Sequence, residues 1–258
     1  MRRSRNVGLR VILGAAACAA LLGTVAGCGS NQDNLTPGLV RATDSLVTLL
    51  NNPNSTPQSV ALYLVGDYSY NGMTPAQQAQ ALRDDWPGRV RMMGRTMLAD
   101  PVVRIDLQWS KRAVASQSAD MTGSGILFLG YQSAASQARF TSVRWVELQG
   151  SAFTATTPTL TDLRVNGAAV NALTGAPLGP VAPGAALTVT GQTDGTVVTA
   201  GAGTAQGTAA TGSFTITLTA PATAGHYALD VRATRTAGVP AITTGLRRRA
   251  AELVVEAP

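Results

Sequence analysis

The amino-acid sequence changes character near residue 155, and this change constrains the fold more than any other feature. All three Trp, four of the five Tyr and three of the four Phe precede it. After it come Thr, Ala, Gly and Val in short alternating runs that are separated by turn residues. We therefore expect two folded parts, with Thr154–Pro158 as the joint between them.

The part before the joint contains three helix-start signals of the same kind. A threonine precedes a proline at residues 36, 56 and 74, and threonine caps a helix whose first turn accommodates proline. Apolar residues follow the first signal at helical spacing as far as Leu50. We expect helices over residues 36–50, from 56 to about 65, and from 74 to Trp86, where Pro87-Gly88 ends the third.

Four strands are predicted after these helices. Between Val103 and Trp109 apolar side chains alternate with polar ones, which is typical of a half-buried strand. Residues 113–121, 126–131 and 140–148 are the other three, and the last of these carries bulky side chains on both faces. Helices followed by a run of strands predict an α+β arrangement, with the helices on a curved antiparallel sheet.

The part after the joint is predicted to contain strands alone. Six short strands cover residues 159–165, 186–191, 196–199, 212–219, 226–233 and 250–256. Turn pairs such as Asn166-Gly167 and Asp194-Gly195 separate them. Short strands at this spacing predict an all-β sandwich.

Each part resembles a known fold. The element order over residues 36–153, together with the phrase Asp67-Tyr68-Ser69-Tyr70-Asn71-Gly72, resembles the nuclear-transport-factor-2-like superfamily. That resemblance implies a cystatin- or cone-like α+β domain whose sheet curls around a pocket. Residues 158–258, through the phrases at 163–167 and 225–231, resemble the immunoglobulin-like modules of bacterial surface proteins. This second resemblance implies an immunoglobulin-like β-sandwich.

The first 28 residues are interpreted as a secretory signal rather than a fold element. Four arginines form a positive start before residue 11, and residues 11–25 are apolar or small. This apolar stretch of about 15 residues is short for a membrane-spanning helix, which needs about 20. A charged start, a short apolar stretch and a small-residue cleavage site together predict export.

The end of this segment, Val25-Ala26-Gly27-Cys28, resembles the lipobox of bacterial lipoproteins. In that family the cysteine sulfur receives a diacylglyceryl group, the chain is cut before the cysteine, and the new amino group is usually acylated. The resemblance implies a signal peptide over residues 1–27, a lipidated tether over 28–35, and palmitate labelling of Cys28. Gly29 stands where the family's inner-membrane retention signal has Asp, which favours the outer membrane if the host has one. An ordinary secretory signal with an incidental cysteine is the alternative.

Cleavage before Cys28 changes the charge and the thiol content of the chain. The precursor has 20 Lys+Arg and 14 Asp+Glu, and four Arg leave with the signal, so the mature balance is 16 against 14, or +2. We therefore expect no nucleic-acid partner. Cys18 also leaves, so a disulfide framework and a thiolate zinc site are excluded from the mature domains. The charge cluster Arg247-Arg248-Arg249 is interpreted as a solvated turn or an edge strand.

Residues that could carry chemistry are few. His226 is the only histidine, and without a nucleophile motif such as Gly-x-Ser-x-Gly we expect a structural or surface role for it. For Asp84-Asp85 a solvated position is favoured over calcium binding. The glycine-rich segment 201–207 lacks phosphate-cradle spacing and is interpreted as a flexible hairpin loop. We predict no catalytic residue, no metal site and no cofactor.

The cone-like resemblance implies a pocket in the first part. In the steroid isomerases of that superfamily a carboxylate base lies on the early short strand, but only Asp67 begins that strand here, and the catalytic position has no clear match. Six aromatic residues are candidates to line the pocket: Tyr68, Tyr70, Trp109, Phe128, Tyr131 and Trp145. A packed core is the favoured interpretation of these positions, and a ligand pocket is the alternative.

These observations are compatible with three functions. The favoured one is a non-enzymatic envelope lipoprotein that acts as a scaffold or binding module, held on the bilayer by lipid on Cys28 and available to an envelope protein partner. The second is binding of a small apolar ligand in the pocket of the α+β domain. The third is a diverged cone-fold enzyme. The fold alone does not choose among them, because such folds host many functions.

Overall fold

A computed structural model describes residues 35–65, 72–99, 101–113, 118–134, 137–171, 173 and 176–256. In these ranges there are three helices, namely α1 (Pro37–Asn51), α2 (Pro57–Ala61) and α3 (Pro75–Asp84). The strands of the first part are β1 (Arg89–Ala99), β2 (Val102–Lys111), β3 (Met121–Ala134) and β4 (Gln137–Ala152). The later strands are β5 (Thr161–Val165), β6 (Ala168–Ala169), β7 (Leu178–Val181), β8 (Ala186–Ala202), β9 (Ala205–Thr219), β10 (Gly225–Ala237) and β11 (Ile242–Val255).

The three helices begin at the three threonine–proline pairs, as predicted. The side chains of Thr36, Thr56 and Thr74 each accept a hydrogen bond from a backbone N–H in the first turn. The Thr74 backbone N–H also donates a hydrogen bond to the Gln77 side chain, which completes a capping box. The second helix ends at Ala61, several residues before the predicted end.

The first core lies between these helices and one face of β1–β4. The inward side of α1 supplies Leu39, Leu46 and Leu50, and the alternating burial of β2 places Ile105 and Trp109 opposite them. This pattern confirms the half-buried strand predicted from residues 103–109. Burial of apolar area at about 25 cal/mol per Å² is the main stabilising contribution to such a core.

Strand β11 joins the two halves of the chain. It pairs with β10 along its whole length and with β4 between Gly245 and Arg249, so it lies inside the sheet. The sheet order is β1-β2-β3-β4-β11-β10-β8-β5-β6, with β7 paired to β11 and β9 paired to β8. The strands of the described residues therefore form one continuous sheet of eleven strands across the joint at residue 155.

Strands β8 and β9 bend, and the bend encloses the second core. Their pairing register is interrupted between Thr193 and Val197, and β8 pairs with β5 before this point and with β10 after it. The two arms of β9 approach each other so closely that a Cβ at Gly207 would collide with Ile216 of the same strand. The apolar side chains between the arms, including Leu187, Val198 and Leu229, form a core separate from the first.

The predicted fold class is wrong. Strands account for 59% of the structure and helices for 15%, and the strands form a single, mostly antiparallel sheet. This differs from a cone-like α+β domain followed by a separate immunoglobulin-like sandwich. The physical reason is the β4–β11 pairing, which continues one sheet through the joint where two separate domains were expected. The phrase at residues 67–72, used for the cone-like resemblance, lies outside the described residues except for Gly72.

Individual strands also differ from the prediction. The strand expected at residues 113–121 is absent from the described part of that segment, where only Ser118 forms an isolated bridge before β3 begins at Met121. Strand β1 was not predicted, because residues 89–99 lack a regular alternation and contain Gly94. The strands expected at 186–191 and 196–199 are the two arms of the single bent strand β8.

The joint is held by hydrogen bonds at the bend of β8. The Thr159 backbone N–H donates to the Asp194 carboxylate over 2.6 Å, and the Asp194 N–H donates to the Thr159 hydroxyl over 3.1 Å. Arg235 forms an ion pair with the same carboxylate at 3.0 Å. The hydrogen bond from the Thr159 backbone is the largest cause that lowers the pKa of Asp194 below its ordinary value. The joint is therefore attached to the sheet along the residues immediately after it.

Candidate functional site

An open groove of about 1090 Å³ lies on the face of β1–β4 that points away from the helices. Five neighbouring strands, β1 to β4 and β11, each contribute one polar side chain to a row across this face. The row consists of Arg91, Gln108, Ser124, Gln149 and Arg247. Adjacent strands lie about 4.8 Å apart, so the row is about 19 Å long. We call this surface the arginine groove.

Hydrogen bonds order one half of the arginine groove. The Gln149 side-chain Nε2 donates to the Ser124 hydroxyl over 3.2 Å, and Arg247 donates to Oε1 of the same side chain. Glu147 lies 3.7 Å from the Arg247 guanidinium and partly neutralises it. This half is thus a preformed network of amide, hydroxyl and guanidinium groups.

The other half carries unneutralised positive charge. Arg89 and Arg91 are exposed on the edge strand β1, and among the described residues neither has an ion-pair or side-chain hydrogen-bond partner. Gln108, Ser110 and Thr122 beside them are exposed as well. The described residues that line the groove include three arginines and no carboxylate. A ligand that fits this surface is anionic and rich in hydrogen-bonding groups.

Trp109 supports the floor of the arginine groove from below. Its indole N–H is shared between the backbone oxygens of Ser124 and Gln149, at 3.3 and 3.1 Å. Its ring lies against Gly150, where a Cβ would meet both the ring and the carbonyl oxygen of Thr122. The indole therefore fixes β2, β3 and β4 in the register that aligns the polar row.

A partly buried ion network connects the end of α3 with the last two strands. The Arg248 side chain is 11% exposed and contacts Asp230 over 2.7 Å and Asp85 at the end of α3. Arg232 also reaches Asp85, at 3.0 Å. Burial disfavours the charge of Arg248, but the two carboxylates outweigh it and raise the pKa of its guanidinium above the ordinary value. This network stabilises the contact between the first and last parts of the chain.

The position of the arginine cluster 247–249 in the structure differs from the predicted one more than that of any other candidate. These residues were expected in a solvated turn or an edge strand, but they lie in the interior strand β11 and alternate between its two faces. Arg247 and Arg249 face Glu147, at 3.7 and 3.8 Å, while Arg248 faces Asp230 and Asp85. Their acidic partners are not sequence neighbours, so no local pattern in the sequence predicted these ion pairs.

The six aromatic candidates are not brought together around one pocket in the described residues. Trp109 and Trp145 belong to the first core at 4% and 3% exposure, and Tyr131 packs against that core. Phe128 points to the opposite face of the sheet, where it packs with Val146 beneath the Arg144 guanidinium. Tyr68 and Tyr70, like Asp67, lie outside the described residues. Only Trp109 borders the arginine groove.

The remaining candidates lie apart from the groove. The Nδ1 atom of His226 is 2.7 Å from Glu252, and the histidine side chain is 60% exposed. Asp85 is ion-paired with Arg232 and Arg248, whereas Asp84 accepts a hydrogen bond from Gln80 over 2.6 Å. Within the described ranges no three His, Cys, Asp or Glu side chains come close enough together to hold a metal ion. Cys28 and the rest of the predicted lipobox lie outside the described residues.

None of the described helices is both long and apolar enough to cross a membrane. Comparisons with protein-family models, with curated proteins and with solved structures find no match to this chain. Its function has to be inferred from its own residues.

Proposed function

We propose that this chain is an exported lipoprotein that is anchored to the envelope by lipid on Cys28 and acts as a binding module rather than an enzyme. The N-terminal segment supports the anchoring, because a basic start, a short apolar stretch and Val25–Cys28 occur together in the expected order. Two or more acyl chains make such anchoring stable, whereas one chain binds reversibly. The outer membrane is favoured if the host has one.

Replacing Cys28 with alanine tests the anchoring. We expect the C28A protein to lose incorporation of radioactive palmitate and to leave the membrane fraction, because Cys28 is the only cysteine beyond the signal. Cys18→Ala is the matched control, since this residue lies within the cleaved segment and its loss leaves labelling unchanged. Palmitate labelling that persists in C28A would place the anchor elsewhere.

The arginine groove is the observation that supports a binding function. It joins three arginines to a row of amide and hydroxyl side chains about 19 Å long. Guanidinium groups bind carboxylates, sulfates and phosphates through paired hydrogen bonds, and amides and hydroxyls bind sugar hydroxyls. The ligand class that fits this combination is an extended anionic glycan.

A pair of charge reversals tests the ligand class. We expect Arg89→Glu with Arg91→Glu to weaken binding to dextran sulfate at least about tenfold, because two charge-assisted contacts become repulsive. Isothermal titration calorimetry with dextran sulfate, and with neutral dextran for comparison, measures this change. Arg41→Glu with Arg139→Glu is the control, since these two exposed arginines lie outside the groove. Equal affinities of the two double variants for dextran sulfate would show that the arginine groove is not the binding site.

A further inference from the structure

A second groove lies on the helix side of the sheet, beside the start of α1. It has a volume of about 430 Å³ and is formed by the first half of α1, the turn after α2 and the start of β4. Arg41 of α1, Arg139 of β4 and Leu62 of the turn are among its lining residues. We call this surface the tether groove, because α1 is the first described element after the proposed lipidation site.

The tether groove carries a net positive charge. Arg41 and Arg139 are both exposed, and neither has an ion-pair or side-chain hydrogen-bond partner among the described residues. Its described lining contains no carboxylate. The nearest acidic residue on α1, Asp44, is paired with Arg95 of β1 and so is engaged away from this groove.

An apolar side chain projects from the same surface. Leu62 is 72% exposed and lines the same groove as the two arginines. Its position is fixed because the next residue, Tyr63, accepts a hydrogen bond from the Phe140 N–H over 2.7 Å, and the Val65 N–H donates back to Phe140 over 3.1 Å. The backbone beside the leucine is therefore hydrogen-bonded to the strand that carries Arg139.

The proposed anchor at Cys28 limits how far the tether groove can lie from the bilayer. Eight residue steps separate Cys28 from the helix cap Thr36, and each step spans at most about 3.5 Å. The start of α1 is thus within about 28 Å of the lipidated sulfur. A basic surface with an exposed apolar side chain at this distance matches the chemistry of an anionic lipid headgroup layer.

We infer that the tether groove docks on anionic lipid headgroups, with Arg41 and Arg139 at the phosphates and Leu62 inserted between them. This inference rests on the proposed lipid anchor at Cys28. Docking orients the sheet so that the arginine groove, on the other face of β1–β4, points away from the bilayer. The lipid surface is then a second binding partner of the folded domain, in addition to the acyl chains.

A single fluorescent label tests the docking. In the lipidated full-length protein a Leu62→Cys substitution introduces the one free thiol, because Cys28 is acylated and Cys18 is removed. A bimane label at this thiol should be quenched by spin-labelled phospholipid in vesicles of phosphatidylcholine with phosphatidylglycerol. The same label on Thr204→Cys, at the exposed tip of the β8–β9 hairpin, should not be quenched.

Charge reversal separates docking from anchoring. In the L62C background, Arg41→Glu with Arg139→Glu should lower quenching several-fold, since each arginine near an anionic surface strengthens binding about fivefold and each glutamate is repelled by that surface. Arg89→Glu with Arg91→Glu should leave it unchanged. Protein that binds vesicles without quenching at residue 62, or with equal quenching in phosphatidylcholine alone, overturns the docking. Protein that does not bind vesicles at all overturns the lipid anchor and the docking with it.

Discussion

Replacing Arg248 with methionine is expected to lower the free energy of unfolding by about 1–3 kcal/mol, because it leaves two partly buried carboxylates with a single cation between them. Arg248 is 11% exposed, and Asp85 and Asp230 are 31% and 25% exposed. Arg232 remains near both carboxylates, at 3.0 and 3.8 Å, but cannot neutralise two charges. Denaturant titration followed by circular dichroism measures the change.

Two further variants identify the cause of that loss. Arg91→Met removes an exposed arginine that has no ion pair among the described residues, and it should change stability by no more than about 0.5 kcal/mol. Adding Asp85→Asn and Asp230→Asn to R248M should recover much of the loss, since the uncompensated charges are then gone. If the triple variant is as unstable as R248M alone, the loss comes from packing and not from charge.

Gly150→Ala is expected to destabilise the protein by about 1–3 kcal/mol, because the new methyl group has no room. A Cβ at residue 150 would lie 2.6 Å from the Thr122 carbonyl oxygen and closer still to the ring of Trp109. The backbone of β3 and the buried indole, which is 4% exposed, have little freedom to move. Thermal unfolding and Trp fluorescence should both change, since the ring has to shift.

Gly94→Ala is the matched control for the overpacking. Gly94 also lies inside a strand of this sheet, but apart from its two chain neighbours no residue has an atom within 4 Å of the position of its Cβ. Alanine there should leave stability unchanged or raise it slightly, because it lowers the entropy of the unfolded chain. A similar loss for both variants would contradict a steric role for Gly150.

The helix starts could be predicted from sequence because their signals are local. A threonine cap and a proline in the first turn act within one turn of helix, and all three predicted starts are correct. The alternation of β2 is also local, because a half-buried strand shows its two faces within a few residues.

Strand β4 shows why simple alternation of side chains along a strand can assign residues to the wrong face of the sheet. Strict alternation along residues 140–148 places Phe140 and Leu148 on one face and Val143 and Trp145 on the other, yet all four lie in the first core. Register shifts in the β3–β4 pairing leave Thr141 and Val146 as extra residues, and each such bulge reverses the facing of the residues beyond it. Nothing in the local pattern identifies a bulge.

The sheet topology and the arginine groove depend on contacts that are distant in sequence. Residue 248 contacts residue 85 across 163 positions, and the groove combines side chains of β1–β4 with Arg247 of β11. Composition suggested a boundary at residue 155, but the pairing of β4 with β11 is non-local and carries the sheet across it. The groove could not be predicted because each of its residues is an ordinary polar position in its own strand.

The mass of the N-terminal peptide of the mature protein tests the central claim most directly. The protein would be purified from the membrane fraction of its host, digested, and measured by mass spectrometry. A lipid anchor at Cys28 predicts a peptide that begins at this residue and carries a diacylglyceryl group on the sulfur. An unmodified Cys28 peptide, or a chain that begins at any other residue, would contradict it.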